Sequence, residues 1–262
     1  AGQVPAMDLT LTGQGPLSDW RGTVTGTIDG RSCLDGTLRL ARTEGLEVTA
    51  DLGQAPDCLP DPVMARLLAG APIALRANVT FENGRLTRIA EARLRSAAVR
   101  IGISGTLENR LGVRFSLETG ELDRFGVLAG IDAGGSLQAS GTVTGSLAEP
   151  VLEARLLSAG GHVGTTRWSD LATDVQLNPT ADGGGWMAGT TGSAVPVGLP
   201  LGDRPMTWSS TVHFNRADDL YRLVDLRVTG PGGQSSLFGT VRADGAVALR
   251  GLIRSERLSL FR

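Results

Sequence analysis

The sequence predicts an all-β protein: a long, curved, mainly antiparallel sheet that forms an open hydrophobic groove, with one or two short helices. Three observations lead to this fold class. Apolar and polar residues alternate along most of the chain, and turn signals recur about every 8–12 residues. Glycine also occurs inside the alternating runs, and its 37 positions among 262 residues are about twice the average usage of roughly 7%.

The alternation predicts strands with one apolar and one solvated face, which is typical of antiparallel sheets. In the run from Ile73 to Phe81, apolar residues take one parity and polar residues such as Arg76 take the other. The turn Asn83-Gly84 that follows is a strong hairpin signal. The apolar positions that we expect to line the groove are Ile73, Leu75, Val79, Phe81, Val99, Ile101, Ile103, Leu111, Val113, Phe115, Leu117, Val175, Leu177, Val212 and Phe214.

Two short helices interrupt the strand pattern. The first is predicted over Val63–Ala69, with Asp61 as its cap, Pro62 in its first turn and Gly70 at its end. A second helical turn is predicted near Leu122–Ala129. No linker divides the chain, so residues 1–262 are expected to form one continuous segment, with a helical insertion at about 61–70. This segment is expected to be a piece of a larger protein.

Glycines within predicted strands weaken them unless they allow a bend, a bulge or a close approach. Repeated glycines of this kind are what a strongly curved sheet requires. We therefore expect the sheet to bend around its apolar face at positions that include Gly26, Gly36, Gly102, Gly105, Gly141, Gly145, Gly239 and Gly251.

Charge and composition exclude several classes of protein. With 25 basic and 27 acidic residues the net charge is −2, so no excess of positive charge is available for binding nucleic acid. Aromatic residues make up only 4%, too few for the aromatic girdles of an outer-membrane barrel. No apolar stretch reaches the roughly 20 residues of a transmembrane helix.

No constellation of residues predicts an enzyme, a cofactor or a metal site. The two histidines, His162 and His213, show no metal-ligand spacing, and no Gly-x-Ser-x-Gly nucleophile motif is present. Cys33 and Cys58 are either two unrelated small hydrophobic residues or a disulfide, and a disulfide would indicate an oxidising compartment.

Several segments resemble the TamB family of AsmA-like proteins. The stretch Gly141–Ala154 (GTVTGSLAEPVLEA) is similar to a recurring family element, namely a short strand, Gly-Ser-Leu, two residues, proline and an apolar-alternating strand. Leu128–Leu137 and Leu17–Gly22 resemble stretches that accompany this element. The resemblance is spread over most of the chain and is best at about residues 60–180.

The resemblance implies a periplasmic segment of a protein that is anchored in the inner membrane of a Gram-negative bacterium. Such proteins form a long curved sheet with an apolar interior, a β-taco. Their proposed role is to carry phospholipids between the inner and outer membranes. An older proposal is assistance in outer-membrane protein assembly with the barrel TamA as partner.

We therefore expect a non-enzymatic lipid conduit of the cell envelope, with phospholipids as partners and, through parts of the protein outside this segment, a TamA-like barrel as a further partner. Two alternatives remain open: a scaffold for outer-membrane protein assembly, and a structural β-solenoid or sandwich of a surface protein. In a closed sandwich the same apolar residues would simply be core. Arginines that alternate with apolar residues, such as Arg76, Arg100, Arg114 and Arg155, are expected on the solvated convex face. The alternative is that arginines at the rim of the groove contact anionic lipid head groups.

Overall fold

The computed structural model describes residues 6–59, 61–181, 183–198, 204–215, 220–242 and 246–255. The chain divides into two compact units, Ala1–Ala129 and Gly130–Arg262. Within the described residues it contains seventeen strands and two short helices. The predicted all-β, curved, antiparallel fold is confirmed.

The first unit is a meander in which each of eight strands pairs antiparallel with the next. A 3-10 turn at Pro56–Cys58 and helix α1 lie between β4 and β5, and helix α2 follows β8. The elements are β1 (Met7–Gln14), β2 (Asp19–Ile28), β3 (Arg31–Arg42), β4 (Leu46–Gln54), α1 (Pro62–Leu68), β5 (Ile73–Glu82), β6 (Arg85–Arg95), β7 (Val99–Leu107), β8 (Leu111–Thr119) and α2 (Leu122–Ala129).

The second unit continues the same pattern with nine strands. From β10 to β17 each strand pairs antiparallel with the next, and the short β9 pairs with β11. The strands are β9 (Ala133–Gly135), β10 (Leu137–Gly145), β11 (Pro150–Val163), β12 (Thr166–Pro179), β13 (Gly185–Val197), β14 (Met206–Asn215), β15 (Leu220–Gly230), β16 (Gly233–Arg242) and β17 (Val247–Ser255).

Glycines opposite β-bulges support the prediction that they bend the sheet. Gly105 has φ 142° and pairs with Ile89 where the register between β6 and β7 shifts. Gly239 has φ 150° and pairs with Leu223 at the corresponding shift between β15 and β16. Residues with a Cβ rarely adopt such backbone angles, and bulges increase the local twist of a strand. These two glycines therefore allow the strands to bend.

Helix α1 is fixed at both ends. The Asp61 Oδ1 atom accepts hydrogen bonds from the backbone N–H groups of Val63 (2.8 Å) and Met64 (3.4 Å), which satisfies two N–H groups that the helix leaves free. At the other end, Arg124 Nη1 of α2 donates to the carbonyl oxygen of Ala69 at 2.7 Å. The helix begins and ends one residue earlier than predicted, while α2 has the predicted bounds.

Candidate functional site

The register of the first unit aligns its apolar residues on one face. Directly opposed residues of an antiparallel pair share a face, and the pairs Val48–Val79, Leu94–Ile101 and Ile103–Phe115 are examples. The same face continues through every strand from β1 to β8. We call it the apolar face, and its larger side chains are Met7, Leu9, Leu11, Trp20, Val24, Leu34, Leu38, Leu40, Leu46, Val48, Leu52, Ile73, Leu75, Val79, Phe81, Leu86, Ile89, Leu94, Val99, Ile101, Ile103, Leu107, Leu111, Val113, Phe115 and Leu117.

Most of the apolar face remains partly exposed. Among the described residues no large side chain is completely buried, and nine hydrophobic residues are buried. The inner face of a closed sandwich would be buried against a second sheet. The partial exposure of this face is instead typical of the wall of an open sheet.

The opposite side of the first unit is polar and carries paired charges. The Arg76 guanidinium contacts Asp51 Oδ2 through Nε at 3.1 Å and Nη2 at 2.6 Å, and Asp51 raises the pKa of Arg76 through this hydrogen bond and through its charge. Arg100 Nη1 lies 3.2 Å from Glu118 Oε2. Both arginines are exposed, as is Arg114. The structure thus separates a solvated face from an apolar one, as the alternation predicts.

The two helices cover one end of the apolar face. Leu67 and Leu68 of α1 form a buried cluster with Ile73 and Val99, at the first residues of β5 and β7, and Phe125 of α2 packs against this cluster. Ile73 and Val99 therefore lie on the predicted face but are covered, whereas Val113 and Phe115 lie on the same face outside this cluster. We call this part of the first unit the helix-covered end.

A disulfide ties the helix-covered end to the sheet. Cys33 at the start of β3 and Cys58 in the 3-10 turn before α1 are bonded, with their Cα atoms 5.5 Å apart. Both cysteines are buried. The structure therefore selects the disulfide from the two alternatives that the sequence leaves open.

At the other end of strands β3 to β5 the described residues form no helix, and this end contains a cavity of about 680 Å³. We call this part the open end. Arg42, Leu46 and Phe81 form one cross-strand row of the apolar face there. The cavity is lined by Leu17, Leu40, Arg42, Glu44, Gly45, Leu46, Val48, Phe81, Glu82, Asn83 and Gly84. Apolar side chains thus meet charged groups at this end of the sheet.

The second unit also has an apolar face, but hydroxyl groups interrupt it. Leu177 and Val212 flank Ala188 in one cross-strand row. The next row is Val175, Thr190, Ser210 and Leu226, in which the Thr190 and Ser210 hydroxyl oxygens are 2.7 Å apart and share a hydrogen bond. Phe214 lies on the same face and contacts the Tyr221 ring at a centroid distance of 4.8 Å. The predicted positions Val175, Leu177, Val212 and Phe214 therefore share one face.

Three tryptophans lie over glycines, a relation that the sequence analysis missed. A Cβ atom built on Gly192 would overlap the Trp208 ring, one on Gly161 the Trp168 ring, and those on Gly13 and Gly22 the Trp20 ring. Trp208 and Trp168 lie directly opposite their glycines in the register. Aromatic side chains that cover cross-strand glycines help to fix the register of a sheet. Glycine therefore serves packing as well as bending, and only the cross-strand pairing could reveal this.

The described residues contain no group of three or more His, Cys, Asp or Glu side chains that could hold a metal ion. His162 Nε2 lies 3.4 Å from Asp132 Oδ1 on an exposed surface. In the part of the chain that the structure describes, neither helix is long and apolar enough to cross a bilayer.

Comparisons with models of protein families, with curated proteins and with solved structures find no match for this chain.

Proposed function

We propose that the protein is a non-enzymatic segment of a bridge-like lipid transport protein similar to the TamB family, and that its apolar face shields phospholipid acyl chains. The observation that carries this proposal is the partly exposed apolar face, which continues over eight consecutive strands. The opposite side of the same strands carries the paired charges. Such a protein would act in the periplasm of a Gram-negative bacterium, between the inner and outer membranes.

The energetics of burial support acyl chains as the cargo. Removing apolar surface from water is worth about 25 cal/mol per Å², so an acyl chain and the exposed side chains of the face stabilise each other when they meet. Contiguous exposed apolar surface larger than a few hundred Å² commonly marks a site of interaction with a membrane or another protein. The face carries Leu, Ile and Val with few aromatic residues, and such a wall has little means of distinguishing one acyl chain from another.

Consecutive residues of β8 provide a matched test of this proposal. Val113 and Phe115 belong to the apolar face, whereas Arg114 between them points to the polar side. Photo-crosslinking residues at 113 and 115 are expected to capture lipid in cells, and one at 114 is not. With the crosslinker at position 115, the Val113→Asp variant should lose lipid capture but keep its fold, since Val113 is only partly buried. With the same crosslinker, Arg114→Asp should keep both lipid capture and the fold. Equal capture at all three positions would contradict the proposal.

A specific observation also favours the scaffold function, in which the protein pairs with strands of nascent outer-membrane proteins beside a TamA-like barrel. In the described part of the first unit, β1 pairs with β2 alone, and all eight of its residues are exposed. A free strand edge can accept an extended segment by β-augmentation. Crosslinkers at Thr10 and Thr12 of β1 would then capture barrel proteins. Capture of neither lipid nor barrel proteins would favour a purely structural role.

A further inference from the structure

The cavity at the open end combines an apolar wall with separate charges of opposite sign. Arg42 takes the position on β3 where the series Leu34, Leu38 and Leu40 would place another apolar residue. It lies directly opposite Leu46, and Leu46 lies opposite Phe81. An arginine therefore stands on the apolar face at the edge of the cavity.

The charges at this edge are not paired with one another. In the residues that the structure describes, no carboxylate lies within 4.0 Å of the Arg42 guanidinium, although the arginines of the polar face at positions 76, 93 and 100 each have such a partner. Glu44, two residues after Arg42, also lines the cavity and is exposed. The edge thus offers a guanidinium and a carboxylate that both remain available to a ligand.

These two groups match the head of a zwitterionic phospholipid. A guanidinium binds a phosphate through two parallel hydrogen bonds, and a carboxylate accepts hydrogen bonds from a primary ammonium group. We propose that the cavity at the open end binds a phospholipid with a primary ammonium head, of the phosphatidylethanolamine class, with its phosphate at Arg42 and its ammonium at Glu44. This inference rests on the proposed function, and it names the lipid and its orientation.

The face behind the cavity provides the space for the acyl chains. From Leu46 to Gln54, β4 runs from the open end towards the helix-covered end, a distance of about 26 Å at about 3.3 Å per residue. Its apolar rows with β3 and β5 include Leu40–Val48–Val79 and Leu38–Ala50–Ala77. Because the buried helix cluster begins at Ile73, the head group lies at the open end and the tails point towards the helices.

A modest preference over purely anionic lipids follows from the same groups. Glu82 lines the cavity beside Glu44, so two carboxylates and one guanidinium surround it. A lipid such as phosphatidylglycerol would gain the contact of its phosphate with Arg42 but would offer no ammonium to Glu44. The expected preference for phosphatidylethanolamine is about threefold, because an exposed ion pair contributes modestly.

The test uses the purified protein and vesicles that contain equal amounts of phosphatidylethanolamine and phosphatidylglycerol. The protein is separated from the vesicles, and its bound lipids are quantified by mass spectrometry. Arg42→Gln is expected to reduce capture of both lipids by about threefold, whereas Glu44→Gln should move their ratio towards one, with Glu82 still in place. Arg100→Gln and Glu118→Gln remove the same charges from the polar face and should change neither the amount nor the ratio.

Two different failures can be told apart in this experiment. Absence of any bound lipid from the wild-type protein would contradict the proposed function itself. Bound lipid with a ratio of one, unchanged by Arg42→Gln and Glu44→Gln, would overturn the head-group site and leave acyl-chain binding intact.

Discussion

Two leucines of the first unit allow a matched test of whether its apolar face is an open surface or a protein core. Leu68 of α1 is 5% exposed and packs in the buried cluster, whereas Leu46 at the open end is 39% exposed. Replacing each by alanine removes the same three carbon atoms. The two changes therefore differ chiefly in what surrounds the side chain; alanine is favoured in a helix and disfavoured in a strand, a difference that opposes the expected order of the two losses.

The expected costs follow from burial. Leu68→Ala should reduce the free energy of unfolding by about 2–5 kcal/mol, because both the transfer energy and a cavity contribute. For Leu46, three carbons at about 0.8 kcal/mol each, about three-fifths buried, give roughly 1.5 kcal/mol. No cavity term is added there, because solvent fills the space.

Strand β5 provides one probe for both variants, since Ile73 packs near Leu68 and Phe81 pairs with Leu46. Urea denaturation can be followed by amide hydrogen exchange in the peptide Ile73–Glu82. The unfolding midpoint should fall clearly further for Leu68→Ala than for Leu46→Ala. Equal losses of stability would mean that the open end is a closed core, and the argument for a lipid-binding face would fail.

Two further predictions concern the disulfide and one bulge glycine. Reduction of the Cys33–Cys58 bond, which spans a sequence separation of 25, should lower the free energy of unfolding by about 3.5 kcal/mol on the chain-entropy model, measured as a lower urea midpoint with reductant. Gly105→Ala should lower the free energy of unfolding by about 1–3 kcal/mol and reduce the thermal midpoint, because φ is 142° and the new Cβ would overlap the Gly112 carbonyl.

Each of these predictions has its own control. The double variant Cys33→Ser/Cys58→Ser should unfold at one midpoint whether reductant is present or absent, and wild-type protein that behaves in the same way would refute the disulfide prediction. The control for the glycine is Gly112→Ala on the neighbouring strand β8. Gly112 does not have a positive φ, and a Cβ atom added there would approach only the Thr106 side chain. If Gly112→Ala lowers the free energy of unfolding as much as Gly105→Ala does, backbone strain at Gly105 is not the cause of the loss.

Local pattern was enough to predict much of the fold. The Ile73–Phe81 run alternates with period two, and Asn83-Gly84 has the positive φ angles of a tight hairpin at 50° and 75°. The helix start at Asp61-Pro62 needs only a capping side chain and a proline in the first turn. All of these signals lie within a few residues of the feature that they specify, so no knowledge of distant partners was required.

The candidate site was predicted only in part, because its remainder depends on cross-strand partners. The alternating residues Leu46, Val48 and Leu52 carried the same signal as Ile73–Phe81 and could have been included. Arg42 shares the parity of Leu38 and Leu40, so the alternation could have placed it on the apolar face, but only the cross-strand pairing brings it into one row with Leu46 and Phe81. The tryptophans over glycines likewise depend on which strands pair.

The sequence by itself determined that this chain forms antiparallel strands with one apolar and one charged face, because side-chain alternation is a local property of the backbone. Only the tertiary structure decided that Cys33 and Cys58 are bonded, that helices cover Ile73 and Val99, and that most of the face stays partly exposed. An apolar stripe has the same pattern whether it is buried against another layer or open to a ligand. What distinguishes the two is the burial of side chains by residues that are distant in the sequence.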